Sequence, residues 1–409
     1  MTGTHAYDVV IIGGLGHVGF PLGIVLADAG LQVGLYDIDD VKRALVAKGT
    51  MPFIEDGAEP IFQRVLGHNL HLCTDLSVVR DADVVIITLG TPVDEYLNPK
   101  LRPMFDLAQQ LASHLRPSQC VLLRSTVFPG TTQALRDFFV RHNANVHVAY
   151  CPERIVQGHA VPELKRLPQI VGGFTPEGVA CADSLFHRLG VETIIVSVQE
   201  AELSKLFSNA WRYIQFAIAN QFYMIARGYG ADFERVYHAM THNYDRAKSF
   251  PRPGFAAGPC LLKDTLQLAA FHGNNFQLGH AAMMVNEGLP SFLVDQLRRE
   301  LTGGLADRRV GILGMAFKAD IDDGRDSLSY KLAKVLRFHG AHVSCSDEFI
   351  VDPSFVSKEE ILSACSVVIV AVPHSAYRDL RVPSATHTVD LWGIIERPRP
   401  SVSMPAEIA

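Results

Sequence analysis

A run of mostly β-branched residues, Tyr7-Asp8-Val9-Val10-Ile11-Ile12, leads straight into Gly13-Gly14-Leu15-Gly16-His17-Val18-Gly19. An amphipathic stretch over 20–29 and a second apolar run over 32–36 follow, and that run ends at Asp37. Strand, G-x-G-x-x-G, helix, strand and acid in this order make a βαβ unit. Such a unit commits the chain to a parallel sheet with helices packed on its faces. Each part has a physical task. Gly14 permits the tight turn, Gly16 lets a pyrophosphate approach the backbone, and Gly19 lets the helix pack on the sheet. The helix N-terminus, with His17 and Val18 beside it, faces the phosphates. Asp37 stands where a carboxylate accepts from both ribose hydroxyls and would repel a 2′-phosphate, so the expected cofactor is NAD.

The same grammar continues downstream. Apolar runs at 83–88, 119–124 and 146–150 read as buried strands. They end in Leu89-Gly90-Thr91-Pro92, in Ser125-Thr126-Val127-Phe128-Pro129-Gly130-Thr131-Thr132 and in Cys151-Pro152-Glu153-Arg154. Open parallel sheets gather ligand contacts at such strand ends. Thr91 and Thr126 are therefore candidate site residues, with helix capping as the other reading. Glu153 is either a site acid or a solvated loop residue.

From about Glu200 the pattern changes to a long helical stretch, apolar nearly all round, which is expected to be buried against other helices or a second subunit. Lys205 and Asn209 are four apart and share one face of it. A lysine on a helix this apolar needs a reason to be there. Further helices are expected at 233–240, 265–271 and 279–300. Between them runs P-R-P-G-F-A-A-G-P-C-L-L-K-D, from Pro251 to Asp264. Its prolines and glycines make a loop, then Cys260, Lys263 and Asp264 place a thiol, a cation and a carboxylate within one helical turn. A nearby ammonium favours the nucleophilic thiolate, and the alternative is an inert buried thiol.

The tail opens another α/β unit. A strand at 309–313 precedes Gly314-Met315-Ala316-Phe317-Lys318, then come a helix at 330–338, a strand at 342–346 ending at Asp347, and strands at 366–372 and 388–391. The intervening loop, A-D-I-D-D-G-R-D-S at 319–327, makes Lys318 and Arg325 candidate phosphate contacts, or else ordinary surface cations.

Composition narrows the class. A chain of 409 residues exceeds one ordinary core, and 48% hydrophobic with 20% charged residues is globular. A net charge of −6 gives no basic footprint for nucleic acid, and no apolar run is long enough to span a membrane. Seven cysteines without a C-x-x-C pair fit neither a structural metal site nor a disulfide framework, so a reducing cytoplasm is expected.

Taken in order, these motifs resemble the UDP-glucose/GDP-mannose dehydrogenase family. The resemblance runs the whole chain. It covers G-x-G-x-V-G at Gly14–Gly19, Thr91-Pro92, S-T-V-x-P-G-T-T at Ser125–Thr132 and Pro152-Glu153. It continues through K-x-x-x-N at Lys205–Asn209, C-x-x-K-D at Cys260–Asp264, and G-x-A-F-K with D-D-x-R-x-S between Gly314 and Ser327. The fold it implies is α/β, with two Rossmann-like doubly wound domains joined by a central helical domain containing a long helix. Expected bounds are 1–198 for NAD binding, 199–302 for the helical domain and 303–409 for nucleotide-sugar binding.

The implied reaction is a four-electron oxidation of the primary alcohol of a nucleotide-diphosphate hexose to the uronic acid, using two NAD⁺. Cys260 would be the nucleophile, with Lys205 and Asn209 stabilising oxyanions. Asp264 would be the base through a water held by Thr126, and Glu153 would assist thioester hydrolysis. Glu153, Lys205, Asn209, Arg246, Phe255, Gly258, Lys318 and Arg325 would contact the substrate, Arg246 by reaching a neighbouring subunit. A homodimer or higher homo-oligomer is expected. UDP-glucose or a related UDP-sugar leads, with UDP-N-acetylhexosamine and GDP-mannose as alternatives. A two-electron β-hydroxyacid dehydrogenase and a catalytically silent NAD- or nucleotide-sugar-binding protein are the rivals. Pro259 stands where relatives carry Ser or His before the cysteine, and it lacks an N–H.

Overall fold

The computed structural model describes residues 5–94 and 99–395. In chain order the first stretch contains β1 (Tyr7–Ile12), α1 (Gly19–Asp28), β2 (Val33–Tyr36), α2 (Asp40–Ala47), α3 (Ala58–Val65), β3 (Leu70–Cys73), β4 (Ala82–Ile87) and α4 (Arg102–Ala112). It goes on through β5 (Cys120–Leu123), α5 (Thr131–Arg141), β6 (His147–Tyr150), α6 (Ala160–Leu164), β7 (Gln169–Gly173), α7 (Pro176–His187) and β8 (Thr193–Val196). Four helices make the middle: α8 (Val198–Gly228), α9 (Phe233–Thr241), α10 (Leu261–Phe271) and α11 (Gln277–Glu300). The last stretch holds β9 (Arg309–Leu313), α12 (Leu328–Phe338), β10 (His342–Ser346), α13 (Lys358–Ala364), β11 (Val367–Val370) and β12 (His387–Asp390). The chain divides into two compact units, one of residues 1–213 with 260–280 and one of 214–259 with 281–409.

In the first unit eight strands lie in the order β3-β2-β1-β4-β5-β6-β7-β8. The first six are parallel, as the unbroken Val/Ile runs of strands buried on both faces require. Alternate side chains supply the two cores. Val9, Ile11, Val84 and Ile86 face one layer, and Val10, Ile12, Val85 and Ile87 the other. The sheet then departs from the plain doubly wound pattern, because β7 pairs antiparallel with β6 and β8 runs with β7. Strand order reverses between β1 and β4, which is where an open sheet binds its ligand.

The second unit carries a four-stranded all-parallel sheet, β10-β9-β11-β12, whose order reverses between β9 and β11. Val310, Ile312, Val367 and Ile369 pack one face together with Leu289, Leu293 and Leu332 from the helices. Leu313, Val368 and Val370 pack the other with Ile361 and Tyr377. Two doubly wound sheets with a helical middle are the expected fold class. No described helix is long and apolar enough to cross a membrane.

Candidate active site

The dinucleotide turn is built from glycines with distinct tasks. In the tight turn for which Gly14 was expected, the left-handed residue is Gly13, at φ 76°. Gly14 is instead a packing glycine, since a Cβ there would stand 3.0 Å from Leu35 Cβ. A Cβ on Gly19 would meet Gly13 O at 2.5 Å and Thr88 Oγ1 at 2.8 Å, so only glycine lets α1 start this close to the sheet. Gly16 is the open one, where an added Cβ would meet only Gly13 O, at 3.4 Å. Val18, at the N-cap of α1, brings no side-chain acceptor, and no acid lies in the first turn. That end of the helix therefore fits a pyrophosphate. Beside it the ring of His17 lies against Phe53, tilted by 39° with centroids 3.9 Å apart. Asp37 Oδ2 accepts the Leu15 N–H at 2.9 Å and Oδ1 accepts that of Asp39 at 3.1 Å. The carboxylate thus holds the turn, and each oxygen keeps a second lone pair for a ribose hydroxyl.

At the neighbouring strand ends the expected residues join one hydrogen-bonded chain. The Thr91 hydroxyl donates to the Thr126 carbonyl, and Lys263 Nζ lies 3.3 Å from Thr91 Oγ1. The same ammonium pairs with Asp264 Oδ1 at 2.9 Å. Asp264 is buried, and its Oδ2 accepts from Asn209 Nδ2 at 2.6 Å. Asn209 Oδ1 in turn faces Lys205 Nζ at 3.5 Å, one helical turn away on α8. Cys260 is exposed and occupies the N-cap of α10, whose unpaired N–H groups favour a thiolate. Sequence adjacency pointed to Lys263 as the cation beside the thiol. In the fold Lys263 is bound to Asp264 and Thr91, and Lys205 is the ammonium that interacts electrostatically with Cys260. Burial pushes Lys205 below the usual lysine range, with Asp264, Cys260 and Glu153 pulling the other way.

Glu153 lies in this unit under a residue that sequence reasoning did not single out. Arg124, at the end of β5, is only 1% exposed. Its Nε donates to Glu153 Oε2 at 2.9 Å and its Nη2 donates to the same oxygen. Nη1 reaches Cys151 O at 3.2 Å and Nη2 also reaches Gln169 Oε1 at 2.9 Å. Glu153 Oε1 takes the N–H groups of Arg154 and Ile155 at 2.7 and 3.0 Å. Each carboxylate oxygen thus already takes two donors. In this geometry Glu153 holds the 152–155 loop. Glu202, also unforeseen, reaches from α8 to cap α5 through Gly130 N at 2.6 Å and Thr132 N at 2.9 Å. That explains why the Thr126 loop closes on Gly130-Thr131-Thr132.

In the second unit the loop before the cysteine is clamped. Buried Asn220 accepts the Gly254 N–H at 2.8 Å and donates to the Gly254 carbonyl at 3.0 Å, while the Trp392 ring fills the place a Cβ on Gly254 would take. Gly258 has φ 95°, and a Cβ there would stand 2.5 Å from the Phe317 ring. The Phe255 ring is buried in the apolar core. Arg325 makes a forked pair with Asp323, with Nε 3.0 Å from Oδ1 and Nη2 2.6 Å from Oδ2. Lys318 is half-buried on the loop after β9, and Arg246 is exposed in the segment that follows α9.

Comparison with known proteins accounts for the order of these parts. Residues 8–190 match the NAD binding domain of the UDP-glucose/GDP-mannose dehydrogenase family, 199–288 its central domain and 311–397 its UDP binding domain. A UDP-glucose 6-dehydrogenase of Bacillus subtilis is 28% identical over 84% of this chain and 80% of its own length. A UDP-N-acetyl-D-mannosamine dehydrogenase of Pyrococcus horikoshii is 27% identical over 90% of each. The structure of a UDP-glucose dehydrogenase from Pyrobaculum islandicum superposes with a TM-score of 0.86 at 26% identity, covering 96% of both chains. With all three domains matched in order, the chain belongs to the UDP-glucose/GDP-mannose dehydrogenase family of NAD-dependent oxidoreductases acting on nucleotide sugars.

Proposed function

We propose that the protein oxidises the primary alcohol of a UDP-hexose to a carboxylate in two steps, with Cys260 as the covalent carrier between them. One observation carries this reading. The thiol sits at a helix N-terminus in a unit that also brings together a buried ammonium, an amide and a buried carboxylate. NAD⁺, cradled at the Gly16 turn and Asp37, supplies the hydride acceptor for both oxidations. Asp264, acting through a water near Thr126, takes the alcohol proton as the aldehyde forms. The Cys260 thiolate then adds to the aldehyde carbon, and the oxyanion created is stabilised by Lys205 and the Asn209 amide. Hydride loss from that carbon leaves a thioester. Water displaces the sulfur, giving the carboxylate and restoring the thiolate.

The balance is four electrons, so each sugar yields two NADH. UDP-glucose is the first substrate to try and UDP-N-acetylmannosamine the second, since relatives named for both match along most of the chain. Absorbance of NADH with these two and GDP-mannose tests the reading. Two NADH per UDP-sugar are expected. One NADH would make the protein a simple alcohol dehydrogenase, and tight binding without turnover would make it a silent binder. Seven free cysteines support a reducing compartment, in keeping with cytoplasmic NAD and nucleotide sugars.

We also propose a homodimer built on α8. Phe207, Trp211, Ile218, Phe222 and Ile225 of this helix are exposed. At about 100° per residue they fall within roughly 60° of arc, so they form one stripe. A soluble monomer rarely exposes such a stripe, and a second copy of it is self-complementary across a two-fold axis. Light scattering should give the mass of two chains, and Trp211→Asp with Ile225→Asp should give one. A wild-type monomer at micromolar concentration would sink the dimer.

A further inference from the structure

The loop after β9 is gripped at both ends by two buried side chains that belong to no other element of the site. Asp347, at the end of β10, accepts the Met315 and Ala316 N–H groups on Oδ2 at 2.6 and 2.8 Å. Its Oδ1 takes those of Phe349 and Ile350 at 2.8 and 3.0 Å. His374, fully buried just beyond β11, stands with Nε2 3.1 Å from Asp347 Oδ2. Its Nδ1 accepts the Asp320 N–H at 2.9 Å. An acceptor at Nδ1 puts the ring proton on Nε2, so the imidazole donates to Asp347. Asp320 has φ 57°, a left-handed turn that a non-glycine residue holds only when its surroundings enforce it. Its carboxylate in turn takes the N–H and hydroxyl of Ser375 at 2.9 and 3.0 Å.

The parallel with the first unit gives this array its meaning. Asp37 and Asp347 each end the second strand of a doubly wound sheet, and each hooks the loop that follows the first strand. Asp37 is partly exposed and keeps lone pairs for a ribose. Asp347 has no exposed side-chain surface and is surrounded by five donors. Burial alone would raise its pKa, yet the His374 hydrogen bond and the backbone N–H groups hold it at about 2. A carboxylate in this state reads no ribose.

We infer that His374 is a positioning residue for nucleotide-sugar binding: with Asp347 it clamps residues 315–320, so that the loop presents Lys318 at the β9–β11 switch point. This rests on the reading that the second sheet holds the nucleotide. The ribose-reading acid of the fold is here converted into half of a loop clamp, and His374 is the other half. Recognition of the nucleotide in this unit then falls to the loop and not to Asp347.

Calorimetric titration of the full-length protein with UDP tests this, alongside steady-state kinetics with the UDP-sugar. In His374→Phe, UDP affinity should fall about tenfold or more and the KM for the sugar nucleotide should rise in step. The kcat and the KM for NAD⁺ should stay within about twofold. Asn and Gln separate positioning from mere folding. His374→Asn keeps an acceptor where Nδ1 meets the Asp320 N–H, and should bind UDP nearly as wild type does. His374→Gln keeps only the donor to Asp347 and should bind as weakly as the Phe variant. Unchanged UDP affinity in the Phe and Gln variants would overturn the clamp while leaving the nucleotide site in place. Equal losses in Asn and Gln would overturn it too. A wild-type protein that binds no UDP would remove the underlying reading, and the clamp with it.

Discussion

Cys260→Ala should abolish formation of the carboxylate while leaving the first oxidation in place. Loss of a covalent nucleophile costs about 10⁴-fold or more when the remaining groups cannot replace it. Here the thiolate has no understudy. It is the exposed cysteine at the N-cap of α10, whereas Cys181, whose thiol the hydrogen bond with Cys120 lowers, packs against the sheet core, and burial raises the thiols of Cys73, Cys151, Cys345 and Cys365. The variant should release at most one NADH per sugar and accumulate an aldehyde that a hydrazine reagent traps. Cys260→Ser should behave much the same, because a hydroxyl with no adjacent imidazole is a far weaker nucleophile at neutral pH. The measurements are the NADH-to-sugar ratio and mass spectrometry of the wild-type protein quenched during turnover, where a sugar adduct on Cys260 is expected. If the Ala variant still delivers two NADH at the wild-type rate, the thiol is not the carrier.

What could be read in the sequence was whatever local chemistry imposes. The G-x-G-x-x-G turn is legible because close packing and phosphate approach demand glycine at set spacings, and 7–12 is the same strand read either way. Even there the motif alone does not show which glycine takes the left-handed backbone, and in the fold it is Gly13. The strands Leu70–Cys73, Gln169–Gly173 and Thr193–Val196 were not separable from loops. One carries a histidine, one ends in two glycines, and one is an exposed edge with Ile194 and Ile195 facing out. That β7 runs antiparallel to β6 has no local signature at all.

The site divides in the same way. Lys205, Asn209, Cys260 and Asp264 could be named from type and spacing. Their partners are long-range, and so were invisible. Arg124 reads as the polar end of an apolar strand until Glu153, 29 residues on, is brought against it. Helix α10 starts at Leu261, four residues before its expected start, because the helix opens directly on the cysteine. The choice between two lysines was lost for a related reason. Lys263 is near Cys260 in sequence, but the carboxylate beside it takes its ammonium, and the ammonium that interacts electrostatically with Cys260 is that of Lys205 on α8, 55 residues back. His374, following a strand in the unremarkable run Val372-Pro373-His374, gave no signal until both its nitrogens had partners.

Lys205→Met should separate catalysis from stability in opposite directions. The side chain is 9% exposed on a helix face, and burial is the leading cause of its lowered pKa. A buried ammonium costs stability while it stays charged. The sign follows from proton binding. Above the folded pKa and below the ordinary lysine value near 10.4, the unfolded chain binds more protons at this group than the folded chain does. Stability at this site therefore rises with pH through that window, and below the folded pKa the full cost of the buried charge is present. Methionine removes that cost, and Asp264 still has Lys263 and Asn209. Urea unfolding at pH 7 should show Lys205→Met at least as stable as wild type, with the difference shrinking as pH rises through the folded pKa. Catalysis should move the other way. Removing one preorganised oxyanion donor costs about 10²–10³-fold in kcat. The wild-type kcat should also fall on its alkaline side, below the ordinary lysine range, as Lys205 loses its proton, and that limb should vanish in the variant. A Met variant that keeps kcat within twofold would leave the lysine as a packing residue. A variant that loses both activity and stability would show that its charge holds the Asn209–Asp264 array together rather than meeting the oxyanion.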